Sequence, residues 1–460
     1  MRKKAAFHNL GCRVNAYETE AMAEALQREG YEIVPFEPGA DVYVINTCTV
    51  TNIADRKSRQ MLHRAKEMNP LAVVVAVGCY VEAGKAGEKD EAIDLAVGNN
   101  AKSRLPELLD AYFRSKGEEA EAFGTINSEK SYEELQISTA EGRARAFVKI
   151  QDGCNQFCTY CLIPYVRGRV RSRSAEDVLE EIRRLAETGY QEVILTGIHV
   201  SSYGSDFDEP DQNRQTPEMA LAKTNYRLLD LVQRAAEIPG IKRLRFGSLE
   251  PGIMTDEFTK ALSEIPAICP QFHLSLQSGS NATLQRMGRK YNAEEYAEVC
   301  ERLRNYFEHP AITTDVIAGF PGETDEEAEE TLRFVHQVKF AGMHIFKYSM
   351  RNGTKAASMK GQVPEQLKKT RSAVLIEAEK QERLAYAGYY EGKEVEVLFE
   401  ETVTKNGQTL LTGHTRESLV AVTSAVDQAE EHQIRRCFVE GVLEDGSLQV
   451  KPLDQTAGRE

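Results

Sequence analysis

From residue 144 to about 350 the chain alternates short apolar runs with longer amphipathic ones, six times over. RAFVKIQ, EVILTGI, KRLRFGS, FHLSLQS, AITTDVIAG and MHIFKYS read as strands. Helical patterns follow them, among them SAEDVLEEIRRLAETG, NAEEYAEVCERLRNYF and TDEEAEETLRFVHQV. Strand–helix units in series build a parallel sheet with helices packed on it. Six of them predict a partial (β/α)6 barrel of the TIM type, with functional groups at the C-terminal ends of its strands. The stretch YGSDFDEPDQNRQTPEMALAKTN, from Tyr203, reads as a long polar loop after the second strand.

The rest of the α/β chain is arranged around that core. At 460 residues it is too long for one ordinary domain. Residues 1–115 also alternate, with AAFHNL, DVYVINTC and LAVVVAVGC as strands and AYETEAMAEALQREG and ADRKSRQMLHRAKEM as helices, which predicts a parallel-sheet domain. Residues 116–143 are polar and acidic and read as an exposed linker. The barrel core takes residues 144–370, and PEQLKKTRSAVLIEAEKQERLAYAGYYEG gives a connecting helix over 371–390. Short β runs at close spacing over 391–454 predict a small antiparallel β-barrel of the sort that often binds RNA, and 455–460 form a tail.

The longest unbroken apolar run, Leu71 to Val77, is seven residues, so no segment is long enough for a membrane helix. The N-terminus lacks the apolar core of a signal peptide. A cytoplasmic location follows as the expectation. In that reducing setting the nine cysteines point to metal or chemistry rather than to disulfides.

Cys154, Cys158 and Cys161 form a C-x3-C-x2-C triplet directly after the first barrel strand. Three thiolates so close in sequence can hold three corners of a cubic [4Fe–4S] cluster and leave one iron open. Such an iron can chelate the amino and carboxylate groups of S-adenosylmethionine (SAM) and pass an electron into its sulfonium. Structural zinc wants a closed shell of four ligands, and no Cys or His lies just beyond Cys161 to complete one. Ferredoxin clusters use four cysteines, usually with a following Cys-Pro. Cys12, Cys48 and Cys79 each fall at or just past the end of an expected strand, along the sheet edge where ligands usually bind. They suit a second three-thiolate cluster, or three small buried packing residues. Cys269, Cys300 and Cys437 share no such placement and are expected to pack.

LGCRVNAYETE, CNQFCTYC, CTYCLIPYVRGRVRSRS, TGIHVSSYG and DVIAGFPGET carry a resemblance to a known family. Over nearly its full length the chain resembles the radical SAM methylthiotransferases. It most resembles the branch that acts on N6-threonylcarbamoyladenosine just 3′ of the tRNA anticodon. Sister branches modify isopentenyladenosine in tRNA or an aspartate of a ribosomal protein. The resemblance implies a methylthiotransferase N-terminal domain, a radical SAM core and a C-terminal TRAM domain. It implies two [4Fe–4S] clusters, one on Cys154, Cys158 and Cys161 that cleaves SAM and an auxiliary one on Cys12, Cys48 and Cys79. Two SAM molecules are used per turnover. One gives a methyl group to sulfur on the auxiliary cluster, and the other gives the radical that removes hydrogen from C2 of the adenine. The partners implied are a tRNA anticodon stem-loop and a low-potential electron donor such as flavodoxin or ferredoxin.

SAM is expected across the barrel mouth. Tyr160 is placed for its backbone to meet the adenine, or for its ring to pack. Gly197 either lets the methionine end approach or simply makes a turn. Glu250 and Gln277 end the third and fourth strands, where polar groups reach the ribose or amino acid portion. Asp315, Gly319 and Glu323 belong to DVIAGFPGE; Gly319 and Gly322 resemble the family's adenine-contacting segment, and Glu323 is a candidate helix cap.

The net charge of −14 would repel a polyanion if spread evenly, so nucleic acid requires a local basic surface. Between Arg143 and Arg173 there are seven Lys or Arg against one Asp. Within them Arg167, Arg169, Arg171 and Arg173 flank the cysteine loop and are expected to contact RNA or substrate. Arg56, Lys57, Arg59, Arg64 and Lys66 make either a second such surface or a solvated helix face. Residues 391–454 hold thirteen Asp or Glu against six Lys or Arg. An acidic barrel suits a basic protein better than tRNA, unless Lys393, Lys405, Arg416, Arg435 and Arg436 gather on one face.

Overall fold

The computed structural model describes residues 2–84, 90–115, 121–122, 126, 129, 131–138, 144–208, 217–405, 407–424 and 431–453. Arg143, the side chain of Lys405 and the tail 455–460 lie outside the described residues.

The first domain is a parallel sheet in the order β2-β1-β3-β4-β5-β6. Its strands are β1 (Lys4–Asn9), β2 (Glu32–Val34), β3 (Val42–Thr47), β4 (Val73–Gly78), β5 (Leu95–Val97) and β6 (Glu121–Ala122). Its helices are α1 (Arg13–Arg28), α2 (Asn52–Met68), α3 (Cys79–Glu82) and α4 (Leu105–Ser115). Every residue of β3 and β4 is buried, because helices cover both faces. Val73, Val75 and Val77 face Met22 and Leu26 of α1 and Leu105 and Leu109 of α4. Val74 and Ala76 face Leu62 and Ala65 of α2.

The core contains the six expected parallel strands, β7 (Arg145–Asp152), β9 (Glu192–Gly197), β10 (Arg243–Phe246), β12 (Gln271–Leu274), β13 (Ala311–Ala318) and β14 (Gly342–Lys347). Two short strands join them, β8 (Arg171–Ser172), antiparallel to β7, and β11 (Ser248–Leu249), parallel to β12. They form sheets β10-β9-β7-β8 and β11-β12-β13-β14, bridged where Leu244 meets Ile268. The helices are α5 (Ile163–Val166), α6 (Ala175–Glu187), α7 (Pro217–Ala236), α8 (Asp256–Ser263), α9 (Asn281–Met287), α10 (Ala293–Tyr306), α11 (Asp325–Val338) and α12 (Glu365–Gly388). Side chains alternate along the strands. Leu244 and Phe246 face the surrounding helices with Val193 and Leu195, leaving Arg243, Arg245 and Glu192 for the lumen side.

Two sequence expectations are corrected here. The polar loop after β9 is shorter than expected, since its second half starts α7 at Pro217, where a proline's missing N–H costs nothing. The segment 116–143 is not merely an exposed linker. Leu135 and Ile137 are buried against Tyr17, and Glu121–Ala122 pairs with β5. The pull is electrostatic as well as apolar, because the buried Glu181 of α6 accepts the Ile137 N–H at 3.1 Å and the Tyr17 hydroxyl at 3.1 Å.

The C-terminal unit is a closed five-stranded barrel, β15 (Glu394–Lys405), β16 (Gln408–Thr415), β17 (Val420–Thr423), β18 (Ile434–Val442) and β19 (Leu448–Pro452). Its pairs are antiparallel except for β17 with β19, which run parallel to close it. It docks on the N-terminal ends of the core strands. Arg243 donates to the Glu396 carbonyl at 2.8 Å and the His414 carbonyl at 3.1 Å. Arg245 donates to the Thr415 carbonyl at 2.7 Å, and Arg416 reaches back to the Pro266 and Ile268 carbonyls, both at 2.7 Å. The other rim of the core is left to the N-terminal domain. There α1 packs on β7 and β9, while Asn52 donates to the Met350 carbonyl beyond β14 at 3.1 Å. No helix of the described residues is long and apolar enough to cross a membrane.

Candidate functional site

Cys154, Cys158 and Cys161 lie on the loop leaving the C-terminal end of β7. Backbone sterics shape this loop. Gly153 has φ +72°, and a Cβ there would lie 1.8 Å from the Arg169 carbonyl oxygen, so only glycine lets the Cys154 N–H donate to the Gly168 carbonyl at 3.1 Å. Thr159 ties the far side down, its N–H donating to the Met287 carbonyl at 2.9 Å and its hydroxyl to the Arg286 carbonyl at 2.8 Å.

Donors point at all three sulfurs. The Gln156 N–H lies 3.5 Å from Cys154 Sγ, the Ile163 N–H 3.4 Å from Cys161 Sγ, and Arg289 Nη1 3.2 Å from Cys158 Sγ. Burial, with the neighbouring thiols adding to it, pushes the Cys154 thiol up to about 11 and that of Cys161 up to about 12. Bare thiolates would be costly here, and donors aimed at sulfur suit a group that carries iron. Among the described residues no three His, Cys, Asp or Glu side chains are set to grip a single metal ion. A cubane asks for something else, since each thiolate takes a different iron.

Cys12, Cys48 and Cys79 come together along the edge formed by the ends of β1, β3 and β4. They are close enough to act on one another. Burial first, with Cys79 and Cys12 adding to it, raises the Cys48 thiol to about 12. The cradle is tight. Gly11, at φ +103°, would place a Cβ 2.9 Å from Cys48 Cβ and 3.0 Å from its sulfur. Asn99 Nδ2 lies 3.5 Å from Cys79 Sγ. Cys269, Cys300 and Cys437 are buried elsewhere, as packing predicts.

A buried charged bridge joins the two loops. Glu18 of α1 receives Arg167 Nη1 at 2.8 Å, Arg167 Nη2 at 3.0 Å and Lys149 Nζ at 2.7 Å, and also pairs with Lys102. Asp152, two residues before Cys154, receives Lys149 at 2.7 Å and Arg167 at 3.1 Å. Burial alone would raise the Glu18 pKa, but Arg167, Lys102 and Lys149 outweigh it and hold the carboxylate well below its ordinary range. Arg167 is also the cation that opposes the rise of the Cys12 and Cys48 thiols.

This corrects the expectation that the alternating arginines contact RNA. Arg167, Arg171 and Arg173 are 0%, 1% and 0% exposed. Arg171 donates to the Arg167 and Arg169 carbonyls, and Arg173 pairs with Glu181. They are neutralised from inside the fold, Arg167 by Glu18 of α1, Arg173 by Glu181 of α6 and Arg171 by Asp152 of β7. Arg169 alone is exposed, its guanidinium 4.4 Å from the Phe157 ring centroid, with Tyr165 edge-on beyond.

The other residues singled out from sequence spread around the same mouth. Tyr160 packs its ring edge-on to Phe320 at 6.3 Å. The open side of Gly197 is taken by Gln151, whose Oε1 would lie 2.9 Å from an added Cβ. Glu250 accepts from Arg289 at 2.8 Å and meets His199 Nε2 at 3.0 Å; burial raises its pKa, but these two partners bring it below normal. Gln277 is held at φ +72°, with its N–H on the Asp315 carbonyl. Asp315 pairs with His273 at 3.5 Å. Gly319 at φ +74° makes room for Lys368 and donates to Glu323 at 3.0 Å. Glu323 is not the helix cap. Thr324 and Glu327 form that capping box, and Glu323 is held by Arg371 at 2.8 Å. Gly322 donates to the Gly361 carbonyl.

Sequence reasoning missed Arg289, His199 and Arg351. Arg351, 2% exposed, grips Asp55 at 2.8 Å and Thr49 at 2.7 Å beside Cys48. Arg289 and Arg351 sit in no pattern that marks them, and His199, though inside TGIHVSSYG, meets Glu250 from 51 positions away.

Residues 148–335 match the model of the Radical SAM superfamily, and residues 4–98 match that of the Uncharacterized protein family UPF0004. The solved radical S-adenosylmethionine methyltransferase TsrM of Kitasatospora setae superposes with a TM-score of 0.51 at 15% identity, over 78% of this chain and 77% of that one, a likeness of fold. The fold and its cysteine loop define a radical SAM enzyme, a class that works with a [4Fe–4S] cluster and SAM.

Curated relatives narrow the class. The threonylcarbamoyladenosine tRNA methylthiotransferase MtaB of Bacillus subtilis is 41% identical over 86% of this chain and 84% of its own. Its namesake from Aquifex aeolicus is 40% identical over 86% and 92%. The tRNA-2-methylthio-N(6)-dimethylallyladenosine synthase of Clostridium novyi is 36% identical over 91% and 90%. The chain belongs to the radical SAM tRNA methylthiotransferase family.

Proposed function

We propose that this enzyme converts N6-threonylcarbamoyladenosine beside the tRNA anticodon to its 2-methylthio derivative. Cys154, Cys158 and Cys161 hold the SAM-cleaving cluster in this reading, and Cys12, Cys48 and Cys79 hold an auxiliary one. The observation that carries the substrate is that four relatives named for threonylcarbamoyladenosine, 34–41% identical, run along 86–88% of the chain. When bound, SAM and the two clusters supply the radical and the methylated sulfur.

The chain's own residues do the rest. Arg289 sets a fixed positive charge against Cys158 and is held in place by Glu250. Gly153 and Gly168 let the loop close over its sulfurs. Glu18 and Arg167 lock the N-terminal domain to that loop, so the two thiol sets keep a fixed separation. In this reading the substrate's adenine lies between them. Electrons come from a low-potential donor such as flavodoxin or ferredoxin.

A tRNA needs a basic surface, and α2 supplies one. Arg56, Lys57, Arg59 and Arg64 are exposed, beside exposed Val50 and Ile53 and next to the Cys48 loop. Arg169 with Phe157 and Tyr165 makes a second contact at the mouth. In the acidic C-terminal barrel, Arg416 is spent on docking and Arg436 on Glu394.

Nucleoside mass spectrometry of tRNA from a deletion strain tests the substrate. Loss of 2-methylthio-N6-threonylcarbamoyladenosine is expected; its persistence, with no redundant enzyme, or loss of the dimethylallyl product instead, overturns the reading. Cys158→Ala is expected to abolish 5′-deoxyadenosine formation, whereas Cys48→Ala retains it and stops methylthiolation.

A further inference from the structure

One cation facing the core has no anion among the described residues. Arg13 opens α1 directly after Cys12 and sends its guanidinium toward β7, 6.0 Å from the Phe147 ring centroid. Its charged neighbours are Arg145 and Arg245. Both are satisfied elsewhere, Arg145 by Glu400 at 2.8 Å and Arg245 by Glu192 at 2.6 Å. Among the described residues no carboxylate pairs with Arg13 and no acceptor takes its hydrogen bonds. Its side chain is open to solvent, so an anion can reach it. A solvent-facing guanidinium with no anion of its own is free to take one through two parallel hydrogen bonds.

The space beside it suits a small polar group. A cavity of about 440 Å³ is lined by Arg13 of α1 and by Gln271, His273, Thr313 and His344 of the core. The carboxylates on its other wall, Glu379, Glu417 and Asp445, belong to α12 and the C-terminal barrel, and Glu379 is held by Arg383 at 2.9 Å. His273 is fixed by Thr313 at 3.1 Å and by Asp315. His344 is exposed to the cavity with no hydrogen-bond partner among the described residues.

A threonylcarbamoyl group on N6 ends in a carboxylate, a hydroxyl and a urea; a dimethylallyl group carries none of these. C2 and C6 of adenine flank the same ring nitrogen. The side chain that reads the N6 substituent must therefore stand close to the sulfur donor, and Arg13 is bonded to Cys12.

We propose that Arg13 receives the substrate's threonyl carboxylate in this cavity, with His344 beside it, and so selects threonylcarbamoyladenosine over apolar N6 substituents. This rests on the substrate reading above. The planar fork of arginine matches a carboxylate with two parallel hydrogen bonds, which a lysine cannot reproduce.

The test uses the reconstituted holoenzyme and two anticodon stem-loops, one with the free threonyl acid and one with its methyl ester. Dissociation constants come from fluorescence anisotropy and kcat/KM from methylthiolated product. The wild type is expected to favour the acid by about a hundredfold. Arg13→Gln should erase that preference, and Arg13→Lys should keep part of it. A wild type that treats acid and ester alike overturns the role of Arg13, and so does an Arg13→Gln enzyme that keeps the wild-type ratio. A wild type that ignores both stem-loops but methylthiolates a dimethylallyladenosine stem-loop overturns the substrate reading instead.

Discussion

Arg167 and Glu18, 149 positions apart in sequence, meet as a two-armed ion pair at 2.8 and 3.0 Å with both side chains fully buried. One belongs to the segment after the cysteine loop of the core, the other to α1 behind Cys12. The pair fixes how the two sets of thiols face each other. Removing one partner leaves the other charge buried and short of its counter-ion, at a cost of about 3 kcal/mol. Arg167→Met is expected to lower unfolding stability by that order and to loosen both cysteine loops. Denaturant unfolding and iron content per chain measure the two effects; unchanged values for both contradict the linking role.

The same carboxylate predicts a pH dependence. The Glu18 pKa is held well below the usual 4.5 in the folded protein, so the unfolded chain binds more protons as pH falls past that value. Its contribution is complete above about pH 4.5 and is lost progressively below, as pH falls toward the folded pKa. Glu18→Gln should be less stable at pH 7 and should show a flatter stability profile below pH 5. Thermal unfolding across that range decides it, and parallel profiles for the two proteins would show that other groups govern acid unfolding.

Gly11 gives a test of the auxiliary site that leaves every cysteine in place. Its backbone is left-handed, and an added methyl group would press on Cys48 at 2.9 Å. Gly11→Ala is expected to drop iron from about eight to about four per chain while reductive SAM cleavage continues. Full iron content in this variant would separate Cys48 from cluster binding.

The basic face of α2 makes an electrostatic prediction. Arg56→Ala, Lys57→Ala, Arg59→Ala and Arg64→Ala combined should weaken tRNA binding at low salt. They should also flatten its dependence on salt by nearly one log unit per phosphate contact removed. Binding isotherms at several salt concentrations measure this slope. An unchanged slope would make the face a solvated helix surface.

The six core strands were legible because each carries an apolar run long enough to show its period, as in AITTDVIAG. β2, β5, β6, β8 and β11, of two or three residues each, were not, since pairing rather than pattern makes them strands. The arginines of VRGRVRSRS show the limit most clearly. Alternating charge usually marks a solvated strand, yet Arg171 and Arg173 lie in or beside β8 against α6, and Glu181 and Asp152 supply their neutralising charge from other parts of the chain.

Sequence by itself determined which residues can hold metal and which glycines the loops require, because ligand spacing and backbone sterics are local. Only the tertiary structure decided which charges face solvent, which are paired inside, and which, like Arg13, have no partner among the described residues. The free energy of a charge depends on its dielectric surroundings and nearest counter-ions, and folding brings those together from distant positions.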